Sequence, residues 1–290
     1  MKMQMSKTAK FFLYFFLIFV SFIVLLPLLY TVSASFKTNF EIAKGGINLI
    51  PKEFTLDNYI TVWTMSGSGY TTTTTFADYT MNSLKTSLLT VVITVTITAM
   101  SAYCFQRGNF PGRQFLYIFF LATMFIGAGT ITVFPILRIT TKLGLNNWWG
   151  LAIVVGATGG ASNLFLTMGY LRTIPKELDE SAKMDGCTFF TTWLRIILPL
   201  SIPILGTIAL MTFRGSWNNW MLPRLMLASD NTATTLVVAI VNLANSGGAG
   251  ASQYNLMMAG SMLSMAPMLI MFLIMNETFV EGITQGSVKG

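Results

Sequence analysis

The chain has 290 residues, 53% hydrophobic and 10% charged, with a formal net charge of +7, two cysteines and no histidine. Soluble domains carry about 25% charged residues, so this composition excludes a water-soluble globular protein and points to the membrane. The lack of histidine removes the usual proton shuttle and the commonest metal ligand, and with them most hydrolase and metalloenzyme readings.

An apolar helix needs about 20 residues to cross the hydrocarbon layer. Six stretches meet that length: 11–32, 84–105, 115–137, 148–170, 200–221 and 256–275. The first is too long and too aromatic for a cleaved signal peptide and lacks a small-residue cleavage site, so it is expected to persist as a helix. The second contains Thr94-Val95-Thr96-Ile97-Thr98, an alternation that reads as a strand in a soluble protein. Lipid offers no partner to an open strand edge, so a helix is expected. In the fourth, Gly156 and Gly160 make a small-xxx-small face suited to close helix contact. In the sixth, Met258, Met262, Met265, Met268, Met271 and Met275 fall at helical spacing and read as adaptable packing, with a substrate slide as the alternative. Pro267 is expected to kink that helix.

Lys and Arg set the orientation. With the N terminus inside, Lys2, Lys7, Lys10, Arg107, Arg113, Arg172, Lys176, Lys183, Arg195 and Lys289 are cytoplasmic, against Lys37, Lys44, Lys52, Arg138, Lys142 and Arg224 outside. Both termini then lie in the cytoplasm. Basic membrane-flanking loops account for the net charge, and no nucleic-acid partner is expected. Cys104 and Cys187 fall in cytoplasmic segments, where a structural disulfide is not expected. Outside, 33–83 is a long loop with a five-threonine run at 71–75, and 222–255 carries the glycine-rich stretch Asn245–Ser252. The latter reads either as a flexible connector or as a finger reaching another protein.

Arg214 is the only charge deep in a span. Such a charge is costly and faces a cavity, a partner or water. Helical spacing puts Trp217 and Asn218 on its face, with Asn219 and Trp220 adjacent. Aromatic faces stack on sugar rings, while amides and guanidinium bond hydroxyls or a carboxylate. These five residues are the candidate substrate path; a snorkelling Arg among interfacial tryptophans is the alternative.

Between the fourth and fifth spans lies a charged island. Glu177, Asp179 and Glu180 suit the positive end of a helix, Gly186 can turn sharply at its end, and Thr188 can cap a second helix running to Ile197, which Pro199 closes. Leu178, Ala182, Phe189, Phe190 and Trp193 give this compact knob an apolar side; an interfacial loop lying on lipid headgroups is the alternative. The sequence Glu180-Ser181-Ala182-Lys183-Met184-Asp185-Gly186, followed by Ile196-Ile197-Leu198-Pro199, resembles the EAA motif of permease subunits of bacterial ABC importers. Cys187 stands where that motif usually has alanine. The ending Phe279-Val280-Glu281-Gly282 and Gly286-Ser287-Val288-Lys289-Gly290, with Asn82-Ser83-Leu84 and Trp217-Asn218, resembles the second-permease, maltose-permease-like branch of the carbohydrate importers.

The resemblance implies an all-α membrane protein with six transmembrane helices of the type I ABC importer permease fold. It forms one transmembrane domain over 1–290, with a coupling loop at 171–199 and a tail at 276–290. By the same resemblance, Glu180, Ser181, Ala182, Asp185, Gly186 and Pro199 couple to the ATPase, and Gly286–Gly290 lie near the ATPase pair. The implied partners are a second homologous permease, two ATPase subunits, a solute-binding protein outside, the bilayer of a bacterial cell membrane, and an oligosaccharide. The chain has no GxxxxGK[ST] phosphate loop, so ATP and Mg are expected on the partner subunits, no cofactor in this chain, and no enzymatic activity of its own. Arg214 would suit a uronate-containing oligosaccharide. Other solutes, such as glycerol phosphodiesters or peptides, remain the alternative within the family. An intramembrane enzyme lacks paired carboxylates, and an ion-driven transporter lacks charged relays.

Overall fold

The computed structural model describes residues 7–46, 48–65, 74–125, 129–158, 160–230, 232–246 and 252–287. Lys2, the threonines at 71–73, the glycine-rich positions 247–251, and Val288, Lys289 and Gly290 lie outside the described residues. Helices follow one another as α1 (Lys7–Ser35), α2 (Asn39–Ala43), α3 (Asp57–Thr64), α4 (Phe76–Arg107), α5 (Arg113–Phe125), a 3-10 turn (Gly129–Thr132), α6 (Val133–Lys142), α7 (Trp148–Thr158) and α8 (Gly160–Leu171). Then come α9 (Glu177–Met184), α10 (Phe189–Thr192), a π-turn (Trp193–Ile197), α11 (Leu198–Leu200), α12 (Ile202–Trp217), α13 (Met221–Met226), α14 (Leu236–Ala244) and α15 (Tyr254–Ser287). No strand occurs among the described residues, and the Thr94–Thr98 alternation lies inside α4 as expected.

Three of the expected spans are single helices long and apolar enough to cross a membrane: Lys7–Ser35, Phe76–Arg107 and Tyr254–Ile274. The count reaches six if each of three bent pairs forms one span. The expected spans 115–137 and 148–170 each fall on such a bent pair, and 200–221 begins at the bend of the third. The pair Arg113–Phe125 and Gly129–Lys142 bends by 120°, Trp148–Thr158 and Gly160–Leu171 by 53°, and Phe189–Leu200 and Ile202–Trp217 by 76°. Gly129 has φ +51, a left-handed value that an α-helix cannot contain. Pro199 does not close its helix at Ile197. Lacking an N–H and crowding the carbonyl four residues back, it follows a widened turn in which Leu198 N–H reaches Trp193 O. The break comes at Ser201.

Contacts divide the chain into two compact units, Met1–Ala77 with Ala239–Met265 and Asp78–Val238 with Ala266–Gly290. In the first unit α1 is apolar around its whole circumference, and its most apolar stretch is uncovered by the rest of the chain; lipid or another subunit must cover it. The loop after α1 is folded rather than slack. Asn58 is 4% exposed and donates to Ser35 O and Lys37 O, both at 2.8 Å, while accepting from Asn255 Nδ2 at 2.6 Å. Ser35 Oγ and Tyr59 OH lie 2.7 Å apart. One buried amide thus ties α1, α3 and α15. Gly260 lets α15 approach α14, since a Cβ there would sit 2.6 Å from Ile240 Cγ2.

The second unit packs α4, α8, the island and α12 around Ala99, Tyr103, Leu164, Met168, Leu171, Trp193, Ile197 and Ile208. The segment after α13 is pinned to α4: Asn82 donates to Thr232 O at 2.7 Å, and Ser83 Oγ accepts from Leu236 N at 2.8 Å. Thr232 in turn donates to Asp230 Oδ1 at 2.6 Å and holds that carboxyl below the usual carboxylate range. Gly156 faces α4, where a Cβ would meet Ile93 Cγ2 at 2.9 Å, whereas Gly160 has nothing within 4 Å. The expected small-residue contact is carried by Gly156 alone.

Two outcomes follow from this packing. Gly156→Leu lowers the thermal midpoint of the purified chain by several degrees, as overpacking costs about 1–3 kcal/mol, while Gly160→Ala leaves it unchanged or higher; equal effects would contradict the close approach. Asn58→Leu removes three hydrogen bonds, two of them to carbonyls of the buried Ser35 and Lys37 at about 1–3 kcal/mol each, and limited proteolysis across 36–57 accelerates before global unfolding.

Candidate functional site

The island folds into a two-helix knob whose turn is fixed by local chemistry. Glu177, Asp179 and Glu180 stand in the first turn of α9 and Lys183 in its last, matching both ends of the helix dipole. Gly186 N–H reaches Lys183 O at 3.1 Å and Cys187 N–H reaches Ala182 O at 2.9 Å. That pair of bonds is a Schellman cap with Gly186 at its left-handed position, and its φ is +78. Space around Gly186 is open, so the demand there is conformational rather than steric. Two residues later, extended Thr188 accepts from Thr191 N at 3.2 Å and starts α10.

Glu180, Ser181, Asp185, Gly186 and Pro199 are exposed, and Ala182 is buried. The knob keeps a set of apolar side chains out in the open: Met184 is 88% exposed, with Leu178, Phe189, Phe190 and Leu194 also exposed. Trp193, expected on the same apolar side, is buried in the core.

Three residues that sequence reasoning used only for charge counting or dipoles, or passed over, hold the knob in place. Asp179 accepts from Tyr103 OH at 3.0 Å and pairs with Arg107 Nε at 3.1 Å. Arg107 also donates to Ile174 O at 2.6 Å. The Tyr103 and Phe189 rings lie 4.4 Å apart, so the end of α4 grips both knob helices. The Arg107 and Asp179 side chains are 8% and 20% exposed. A cavity of about 490 Å³ opens beside them, lined among others by Arg113, Lys176, Glu180 and Lys183. No local pattern links Arg107 to Asp179, since they lie on separate helices far apart in sequence.

The candidate substrate path is only partly brought together. Arg214, Asn218 and Trp220 are exposed and Asn219 is half-buried. Trp217 departs from expectation: it is 1% exposed and stacks on Phe213 at 5.6 Å. It is core packing and has no face for a sugar ring. A cavity of about 230 Å³ lies instead beside Thr94, Val155, Asn163, Met211, Thr212 and Ser216. Its wall continues a stripe of buried hydroxyls on α4, Ser83, Ser87, Thr90, Thr94 and Thr98. Ser87 bonds Ser216 at 3.2 Å, and Thr94 donates to Gly156 O at 3.1 Å. The three- and four-residue spacing of that stripe was the available sequence signal. No cluster of His, Cys, Asp or Glu able to hold a metal occurs among the described residues.

Comparison with known proteins gives these features a family. Residues 94–284 match the binding-protein-dependent transport system inner membrane component. The arabinooligosaccharides transport system permease protein AraQ of Halalkalibacterium halodurans is 32% identical over 274 residues, covering 94% of each chain. The trehalose transport system permease protein SugB of Mycobacterium tuberculosis is 33% identical, covering 92% of this chain and 93% of its own. Among solved structures, a bacterial ABC transporter involved in the import of the acidic polysaccharide alginate superposes with a TM-score of 0.73 at 23% identity, over 95% of this chain and 99% of that one. A chain with up to six apolar spans, a Schellman-capped knob between two of them and this likeness along nearly its whole length belongs to the binding-protein-dependent inner membrane components, the permease subunits of ABC importers, whose ATPase is a separate subunit.

Proposed function

We propose that this chain is the second permease of an importer that moves oligosaccharides into a bacterial cell by alternating access, and that its knob is the handle an ATPase subunit holds. The observation that carries the reading is the knob itself: a turn rigidly set by Gly186 and Thr188, with Met184, Phe189 and Phe190 exposed around it. Exposed apolar groups clustered on a charged knob suit a protein cleft better than bulk water. Residues 1–290 act as one transmembrane domain, with both termini and the knob in the cytoplasm and the Gly286–Gly290 tail near the ATPases. A homologous permease covers the exposed faces of the spans, two ATPases carry ATP and Mg, and a solute-binding protein docks outside. The two states are biased by nucleotide inside and loaded binding protein outside.

The substrate class follows from the relatives, whose names specify arabinooligosaccharides, galactooligosaccharides and trehalose. Arg214 extends the reading to acidic, uronate-containing oligosaccharides: it is exposed on α12 with no ion-pair partner among the described residues. The uncharged cavity at Thr94, Asn163 and Thr212 favours a neutral oligosaccharide as the second reading.

Capture of the ATPase on immobilised permease tests the handle. Gly186→Pro cannot adopt the left-handed turn, a strain of about 1–3 kcal/mol, so capture weakens about tenfold and uptake falls with it; unchanged capture and uptake would sink the assignment. For Arg214→Ala, uptake of uronate oligosaccharides falls about tenfold more than uptake of neutral ones, as expected for a lost charge-assisted bond of about 1.5–3 kcal/mol. An equal effect on both would end the acidic reading.

A further inference from the structure

We propose that Arg107, Tyr103 and Asp179 are positioning residues that carry movement of the knob into α4, and through α4 to the cavity at Thr94. The inference rests on the reading of the knob as the ATPase handle. Besides the link back to α8 through residues 172–176, two routes lead out of the knob. The covalent one runs through α10, the π-turn Trp193–Ile197 and the 76° break at Ser201 before it reaches α12. A widened turn followed by a break interrupts the helix, so this route is not one continuous element.

The second route is non-covalent and stiff. Asp179 on α9 is held by both the Tyr103 hydroxyl and the Arg107 guanidinium, Phe189 on α10 lies against the Tyr103 ring, and Arg107 also grips Ile174 O ahead of α9. Tyr103 and Arg107 are one turn apart on α4, which runs without a break. Thirteen residues separate Arg107 from Thr94, about 20 Å along the helix. There Thr94 lines the cavity with Asn163, Thr212 and Ser216, and hydroxyl bonds join α4 to α7 and α12. A rigid-body shift of the knob therefore moves a cavity wall directly, with α12 following through Ser216. Shear of packed helices by small distances is a known form of such transmission.

The experiment uses the complete importer, with companion permease, ATPases and binding protein, reconstituted in lipid vesicles. Solute taken up per ATP hydrolysed is read together with ATPase capture. Arg107→Glu and Asp179→Arg each lower uptake per ATP about tenfold, within the 5–150-fold range typical of couplings between sites, with capture retained. The exchanged pair Arg107→Glu with Asp179→Arg restores uptake per ATP to within about threefold of wild type, as a charge pair whose mutations are not additive must. Should either reversal prevent assembly, Asp179→Asn and Tyr103→Phe carry the test, the latter keeping the ring on Phe189 and losing only the bond; each lowers uptake per ATP by about twofold or more.

A purely structural role would reduce the amount of complex and leave uptake per ATP unchanged, and that result overturns the proposal. So does an exchanged pair no better than the single reversals with capture intact. Failure of the wild-type knob to capture the ATPase would instead overturn the functional reading beneath it.

Discussion

Hydrocarbon accepts no hydrogen bonds, and this chain breaks its helices inside an apolar environment. Each break frees carbonyls that would normally meet an N–H one turn on. The structure meets the constraint with side chains placed at the breaks. Thr94 donates to Gly156 O, one of the last four carbonyls of α7. Tyr170 donates to Leu200 O and Ser201 Oγ to Ile197 O where α11 gives way to α12. Arg107 covers Ile174 O before the knob. The bends between α7 and α8 and between α11 and α12 are therefore tied, by donors on a neighbouring helix or on the same turn.

The same constraint explains what was legible in the sequence. Position of the spans was, because about 20 uncharged residues in a row leave few alternatives. The knob was also legible, because Gly186 and Thr188 act on residues three to five positions away and need no tertiary context. Breaks were not. Pro199 was read as a stop, yet a proline can also be absorbed by widening the turn ahead of it, and only packing decides between the two. Trp217 misled for a related reason: helical spacing places it near Arg214, but spacing cannot say which neighbours cover a side chain, and Phe213 and the core cover this one.

Long-range pairs were out of reach for a different reason. Arg107 and Asp179 look like a positive-inside charge and a helix-start acid, and each local reading is sufficient by itself. Their pairing is visible only when α4 and α9 meet. A partly buried ion pair adds little net stability but is costly to leave half made, so it constrains where the knob sits more than whether the chain folds. Asn58 plays the comparable part in the other unit. Nothing in its sequence surroundings distinguishes it from an ordinary loop asparagine, yet three segments converge on its amide.

The π-turn at Trp193–Ile197 has a further effect on the helix beyond it. A turn closed by a bond five residues back holds one residue more than an α-turn, and one residue corresponds to about 100° of rotation around the axis. The side chains downstream are thus phased by residue count as much as by residue identity. Whether Thr212 and Ser216 or their neighbours Phe213 and Trp217 face the cavity is thus a matter of angular registration. Gain or loss of that single residue would turn a different chemical face of α12 toward the cavity, with every side chain of the helix unchanged.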